Sequence, residues 1–309
     1  MKTPLELIVI KLFDLHCDTL TECFEKNICL SDMSLAVNLT GARVFERYIQ
    51  SFAIWISEKE KQPFEKYERV LNYGKRILKD GGFSVCSSAS EIDASLKKGI
   101  PIALLSLEGA TPIESVEQVD RLYSDGVRTV SLTWNYNNRL AGGALDDGAL
   151  TELGRDVIRR MNRLGMVLDL SHLNRKSFYE AVSLADNVVA THTGLSETID
   201  CPRNLDLQQL KLIKEKKGLI GLCFYPEFIG TPVTKGFKKA VYELVNRGFE
   251  NEMAIGSDFD GAAMHEELSS LTDVPKLYDV LISCGLSKQY AEKLTFNNSF
   301  AFYRSVLTN

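Results

Sequence analysis

About eight strand-like apolar runs, most of them separated by amphipathic helical stretches, predict an α/β protein, a single-domain (β/α)8 TIM-like barrel over residues 1–309. Three observations carry this reading. The apolar runs are short and bounded, as buried strands are. The stretches between them supply crossover helices, which parallel neighbours need because no tight turn can join them. No Pro-rich linker, low-complexity segment or internal repeat divides the chain. A doubly wound open sheet is the alternative, but no GxGxxG turn follows the first strand.

The elements follow in order. The first run, 8–15, leads straight into His16. The segment 28–49 is the least regular and predicts a loop or an extra helix before the second run, 51–56. A helix over 64–79 precedes the strand at 101–107, and a helix over 114–124 precedes the strand at 127–133. Helices over 150–164, 174–184, 206–216 and 235–247 then alternate with strands at 166–171, 187–191, 218–225 and 253–257. A closing pair of helices spans 273–306.

Composition narrows the function classes. Apolar residues make up 45% and charged residues 25%, and the net charge of -5 argues against nucleic acid or an anionic membrane as the main partner. Seven scattered cysteines without a CxxC pair read as reduced thiols, so the expected location is the cytoplasm. Lys2, Glu6 and Lys11 interrupt the apolar N-terminus, which reads as neither a signal peptide nor a membrane span.

Strand ends carry the chemistry. His16 and Asp18 stand two apart and share a strand face, with Cys17 opposite, so an imidazole nitrogen and a carboxylate can chelate one divalent metal. The same grammar recurs: Glu108 ends IALLSLE, His172 ends MVLDLSH, His192 ends NVVATH and Asp258 ends EMAIGSD. In a closed parallel barrel these ends share one rim, so residues distant in sequence converge. Three histidines, two carboxylates and a further acid are donors enough for two metals. Taken singly, each has a bland reading: a hydrogen-bonded rim histidine, or an acid that starts a helix in the case of Glu108. His265 follows no apolar run and reads as a loop or helix-surface residue. Gly142 and Gly143 suggest a flexible rim loop or a simple turn.

FDLHCDT (13–19), LSLEGA (105–110), RLGMVLDLSH (163–172), THTGL (191–195), CPRNLD (201–206) and GSDFDG (256–261) resemble the renal or membrane dipeptidase family, zinc peptidases of the amidohydrolase-like barrels. The motifs keep the family's order across nearly the whole chain. The resemblance implies two Zn2+ per chain, with His16 and Asp18 on one metal, His172 and His192 on the other, and Glu108 bridging. It implies Asp258 as the catalytic acid, in hydrolysis by a metal-bridging hydroxide, and Arg203 as the group that takes the substrate's terminal carboxylate. On chemical grounds Asp258 can take the proton of the metal-bound water and pass it to the departing amine. Read locally, a surface or helix-capping arginine before the helix at 206 is the lesser alternative for Arg203. Tyr225 resembles a family tyrosine near the substrate.

One departure stands out. Many family members carry a histidine after the fourth strand, in an LTH sequence; this chain has Trp134 there, in SLTWNYNN. Trp134 and Asn135 are then the expected substrate-facing residues, and Asn135, Tyr136 and Asn137 offer hydrogen-bond donors. The resemblance implies hydrolysis of dipeptides with a free C-terminal carboxylate, tolerance of a D-residue at the second position, and a homodimer as a common assembly. The competing readings are another amide or ester hydrolase on the same barrel, a deacylase or lactonase, and a catalytically weak homologue that binds metal or peptide.

Overall fold

The computed structural model describes residues 10–307, so residues 8 and 9 of the first expected strand lie outside it. Nine strands follow in chain order: β1 (Lys11–Cys17), β2 (Arg47–Trp55), β3 (Ser84–Val85), β4 (Ile102–Glu108), β5 (Val127–Ser131), β6 (Val167–Asp169), β7 (Val188–Thr193), β8 (Leu219–Leu222) and β9 (Met253–Ile255). Neighbours run β2-β1-β9-β8-β7-β6-β5-β4, and a parallel pairing of β2 with β4 closes the ring. Closure excludes the open doubly wound sheet. The short β3 pairs only with the first residues of β4 and stands outside the ring of eight.

All eight expected strands are present. The second begins earlier than its apolar core, at Arg47, so the irregular stretch before it is shorter than expected; it does carry the short helix Leu39–Ala42. The helices Thr19–Lys26 and Ala89–Lys97 lie between strands as well and were not anticipated. The second has a legible signal: the Ser88 side chain accepts from Glu91 N, and the Glu91 side chain returns the bond to the Ser88 backbone. The closing segment comprises Val274–Ser283, Lys288–Glu292 and Asn298–Val306, the last two joined by a π-helical turn over Lys293–Asn297. Among the described residues no helix is long and apolar enough to cross a membrane.

Two apolar cores result. One lies between the ring and the surrounding helices. The other fills the N-terminal end of the barrel, where Phe13, Leu15, Leu104, Val167 and Val189 meet Phe296 and Tyr303 of the closing segment. The Phe13 and Tyr303 rings lie 5.2 Å apart. Because that end is plugged, the barrel interior opens only towards the C-terminal ends of the strands.

Strand register aims the site. A bulge interrupts the β1–β2 pairing between Asp14 and Cys17, and another interrupts β7–β8 between Ala190 and Thr193. Each bulge brackets a histidine, His16 or His192. A bulge resets the alternation of side chains. Thus Leu15 faces the inner core, His16 also turns inward, and Cys17 packs in the outer core.

Candidate metal centre

The structure brings His16, Asp18, Glu108, His172, His192 and Asp258 together at the C-terminal rim, all six buried. Two donor groups form, Glu108–His172–His192 and His16–Asp18–Asp258, each with its ligand atoms within 4.8 Å of one another. Glu108 faces both groups. Its Oε1 lies 2.7 Å from His172 Nε2 and 3.5 Å from His192 Nε2, and its Oε2 lies 3.6 Å from His16 Nε2. His16 Nε2 is also 3.2 Å from Asp18 Oδ2 and 3.7 Å from Asp258 Oδ1.

The backbone accepts strain here. His172 and Asp258 both have positive φ, 66° and 64°, a conformation that costs non-glycine residues about 1 to 3 kcal/mol and is typical of functional positions. Gly261 packs so tightly against Asp18 and Asp258 that a Cβ there would meet both carboxylates.

Hydrogen bonds fix the imidazole tautomers. Thr191 Oγ1 donates to Asp169 Oδ2 at 2.6 Å, so its oxygen is left to accept from His192 Nδ1 at 2.8 Å. Asn135 Oδ1 accepts from His172 Nδ1 at 2.9 Å. With both Nδ1 atoms protonated, two Nε2 lone pairs face each other at 2.8 Å beside the Glu108 carboxylate. Such an arrangement is repulsive unless a cation lies between the donors, and metal-ligating histidines as a rule give their other N–H to an acceptor. Asp18 Oδ1 is buried and has no hydrogen-bond partner. The imidazole and carboxylate donor set therefore fits divalent metal, zinc included. A third grouping, His16–Asp169–His192, differs because Asp169 already accepts from Ser171 N, Thr191 N and Thr191 Oγ1.

Charge states differ around the ring. Burial holds His172 and His192 well below the ordinary histidine range, with the Arg203 and His16 charges adding to it. Burial also opposes charge on His16, but Glu108, Asp18 and Asp258 outweigh it and push its pKa up to about 10. Burial raises Glu108 well above the usual carboxylate range, with Asp18 reinforcing it. It raises Asp258 to about 7 against the opposing pull of His16 and Arg203.

A cavity of about 690 Å³ opens onto Asp18, Glu108, His172 and Asp258. Arg203, Tyr225, Trp134 and Asn135 all line it. Arg203 is buried with its guanidinium 5.3 Å from the Phe228 ring centroid, and among the described residues the hydrogen bonding of that guanidinium is limited to Nη2 donating to His192 O at 3.4 Å. Capping falls instead to Asp206, whose side chain accepts from Gln209 N. Asn135 is committed to His172, so it supports a ligand in addition to lining the cavity. Tyr225 packs edge-on against Phe228.

The neighbouring residues divide by role. Asp14 ties β1 to the segment after β9, accepting from Ser257 N and Oγ at 2.9 and 2.6 Å. Asp260 accepts from Thr19 Oγ1, Ala36 N and Val37 N and holds the rim loops. His265 caps a short 3₁₀ turn. Gly142 and Gly143 are buried at close backbone approaches to Gly148 and to Asn135 and Tyr136, so packing, not looseness, requires glycine there. Sequence reasoning missed Thr191 as the link from His192 to Asp169, and it missed Trp55. The signal for Trp55 was its place near the end of the apolar run 51–56; the structure puts it in register with Glu108.

A closed parallel barrel with imidazole and carboxylate donors gathered at its C-terminal rim defines a metal-dependent hydrolase of the TIM-barrel type. The chain belongs to the membrane dipeptidase family (Peptidase family M19), whose family model matches residues 7–308. A Klebsiella pneumoniae protein encoded in the pqqA 5' region is 30% identical over 73% of this chain and 90% of its own length. The dipeptidase tcpJ of Claviceps purpurea is 29% identical over 79% of this chain, a match that spans 59% of the fungal protein. The crystal structure of dipeptidase AC, a family M19 metallopeptidase, superposes with a TM-score of 0.89 at 25% identity, covering 97% of this chain and all of that one. A Rhodobacter sphaeroides metallopeptidase, solved with a phosphinate mimic of L-Ala-D-Ala, shares the fold at a TM-score of 0.87 and 24% identity, over 96% of this chain and 99% of its own.

Proposed function

We propose that this protein is a binuclear zinc dipeptidase that cleaves the peptide bond of dipeptides bearing a free C-terminal carboxylate, including those with a D-residue second. The observation that carries the reading is the pair of facing donor groups joined by Glu108, roofed by a cavity with the buried Arg203 in its wall. His172 and His192 would hold one zinc, His16 and Asp18 the other, with Glu108 shared between them. Zinc bound there supplies Lewis acidity, which polarises a carbonyl and acidifies water into the neutral range.

The protein's own groups do the rest. Arg203 presents a planar fork with most of its donors uncommitted, suited to a carboxylate in two-point contact. Once seated, that carboxylate fixes the distance from the substrate's end to its peptide bond, so one scissile bond reaches the donor cluster. Asp258 Oδ1 lies 3.7 Å from His16 Nε2, the atom that Glu108 Oε2 approaches at 3.6 Å, and burial raises the Asp258 pKa to about 7. A carboxyl poised near neutrality can take a proton from water and return it to the departing amine. Asn135 and Asp169, the latter through Thr191, keep the imidazole Nε2 atoms turned towards the site. The seven cysteines are free thiols, four of them buried, which suits a reducing compartment such as the cytoplasm.

The test is a panel of L,L and L,D dipeptides assayed with zinc, with and without chelator. Chelator-sensitive hydrolysis is expected, and Arg203→Ala should raise KM for dipeptides far more than for neutral amides or esters. Equal losses on both substrate types would favour a deacylase or lactonase.

A further inference from the structure

Two tryptophans stand over the donor cluster. Trp55 ends β2 and pairs in register with Glu108, so the two side chains project to the same face of the sheet. Trp134 follows β5, and its ring meets that of Trp55 at 5.2 Å and 74°, an edge-to-face corner. Trp134 also lies 6.2 Å from the His172 ring. In the closed strand order β2 stands across the mouth from β7, which leads into the Arg203 loop. Both tryptophans line the same 690 Å³ cavity as Arg203. A ligand that anchors its carboxylate at Arg203 and crosses the donor cluster therefore brings its other end to the tryptophan corner.

The corner presents mainly aromatic and aliphatic carbon and is partly open, with Lys66 Nζ 5.8 Å from the Trp55 ring centroid and Lys59 Nζ 5.3 Å from that of Tyr136. Leu145, 49% exposed, completes its wall, and Tyr136, 37% exposed, extends it outward from Trp134. Large exposed apolar side chains mark binding surfaces when they cluster. Trp55 Nε1 is buried and has no hydrogen-bond partner. Glu22, Glu25 and Glu227 line the cavity as well; Glu22 and Glu25 pair with Lys26 and Lys66, and Glu227 belongs to the helical turn of Phe228, against which Arg203 packs, so the tryptophan corner does not favour a cationic side chain.

We propose that Trp55 and Trp134 form the subsite for the N-terminal residue of the substrate and select a large apolar, above all aromatic, side chain there. The inference rests on the dipeptidase reading for the direction of the substrate, and its test separates the two. Burying one aromatic side chain against rings predicts about a 10- to 100-fold preference in kcat/KM for Phe over Gly at the first position.

The zinc-loaded protein is assayed against Gly-Ala, Ala-Ala, Leu-Ala and Phe-Ala, and the Phe/Gly ratio is compared with that of Trp134→Ala and Trp134→Phe. The ratio should collapse to about 3 or less in Trp134→Ala and survive in Trp134→Phe. A flat series in the unmutated protein overturns the subsite while leaving dipeptide hydrolysis standing. Hydrolysis of none of the four removes the dipeptidase reading instead. Binding then decides the subsite, because Trp55 and Trp134 are the two tryptophans of the whole chain and its emission reports on this corner alone. Titration with L-phenylalanine amide should change that emission saturably, where glycine amide does not. Equal or absent responses to the two amides overturn the subsite, whether or not the variants fold.

Discussion

The two sides of the donor cluster use the same residue type at nearly the same burial to opposite effect. On the β1 and β9 side a single imidazole, His16, sits within 3.7 Å of three carboxylates and is pushed up to about 10. On the β6 and β7 side two imidazoles share one oxygen of Glu108 and are held well below the usual range. Burial opposes charge on all three. Neighbours decide the outcome, because an opposite charge within about 4 to 6 Å favours the charged form of a group. A metal thus meets ready neutral nitrogens on one side and must displace a proton on the other.

Removing a donor from the neutral side should have the largest effect. His172→Ala or His192→Ala is expected to lose zinc by far more than the 10- to 100-fold typical of supporting residues, and with it essentially all activity. Metal analysis after dialysis checks this, and unchanged zinc in both variants would break the assignment. Asp258→Asn should keep its metal and lose about 10²- to 10⁴-fold in kcat, the usual contribution of a general acid or base. Full activity in that variant would sink the proton-transfer role. Gly261→Ala should act on the charged side, pressing Asp18 and Asp258 apart. It is expected to weaken one zinc while the His172–His192 site stays filled, which stoichiometry at limiting metal would reveal.

Smaller effects sharpen the contrast. Thr191→Val cuts the link from His192 to Asp169, and Asn135→Ala removes the acceptor from His172. Each should lower zinc affinity about 10- to 100-fold, with Asn135→Asp milder because it keeps an acceptor in place. Proton release gives the finest test. His16, with its pKa near 10, binds a proton at pH 8 in chelator-stripped protein, and metal needs its bare nitrogen. Zinc loading at pH 8 should therefore release about one proton from this side, falling away as the pH passes 10. Calorimetry in buffers of differing ionisation enthalpy reads this number, and a value of zero at pH 8 would show that the carboxylates do not hold His16 charged.

The barrel was legible because each strand is a short apolar run and each crossover helix carries its own period. The donors were legible because each stands at or just past the end of such a run. Boundaries were harder. β2 begins at Arg47, in a stretch whose apolar pattern is broken by Arg47 and Gln50, and Ser84–Val85 is too short to show a period. The reasoning that paired His16 with Asp18 assumed simple alternation along a strand. The pairing holds by alternation around the outward Cys17, yet it is a bulge that turns His16 into the barrel, and bulges leave no periodic signature. A capping role for Arg203 stayed open as the lesser alternative, since only the fold shows Asp206 taking that duty and Arg203 buried in the cavity wall.

The amino-acid order alone determined the alternation of strands and helices, the residues available as metal donors and the presence of Trp134 just past a strand end. These are local facts, read from neighbours along the chain. Tertiary structure decided which donors share an oxygen of Glu108, which imidazoles lose their proton to burial and which keep it, and how Trp55 comes to face Trp134. Those depend on strand register, ring closure and the exclusion of water, which bring together residues as distant as His16 and Asp258 and set their charges through a medium that no local pattern describes.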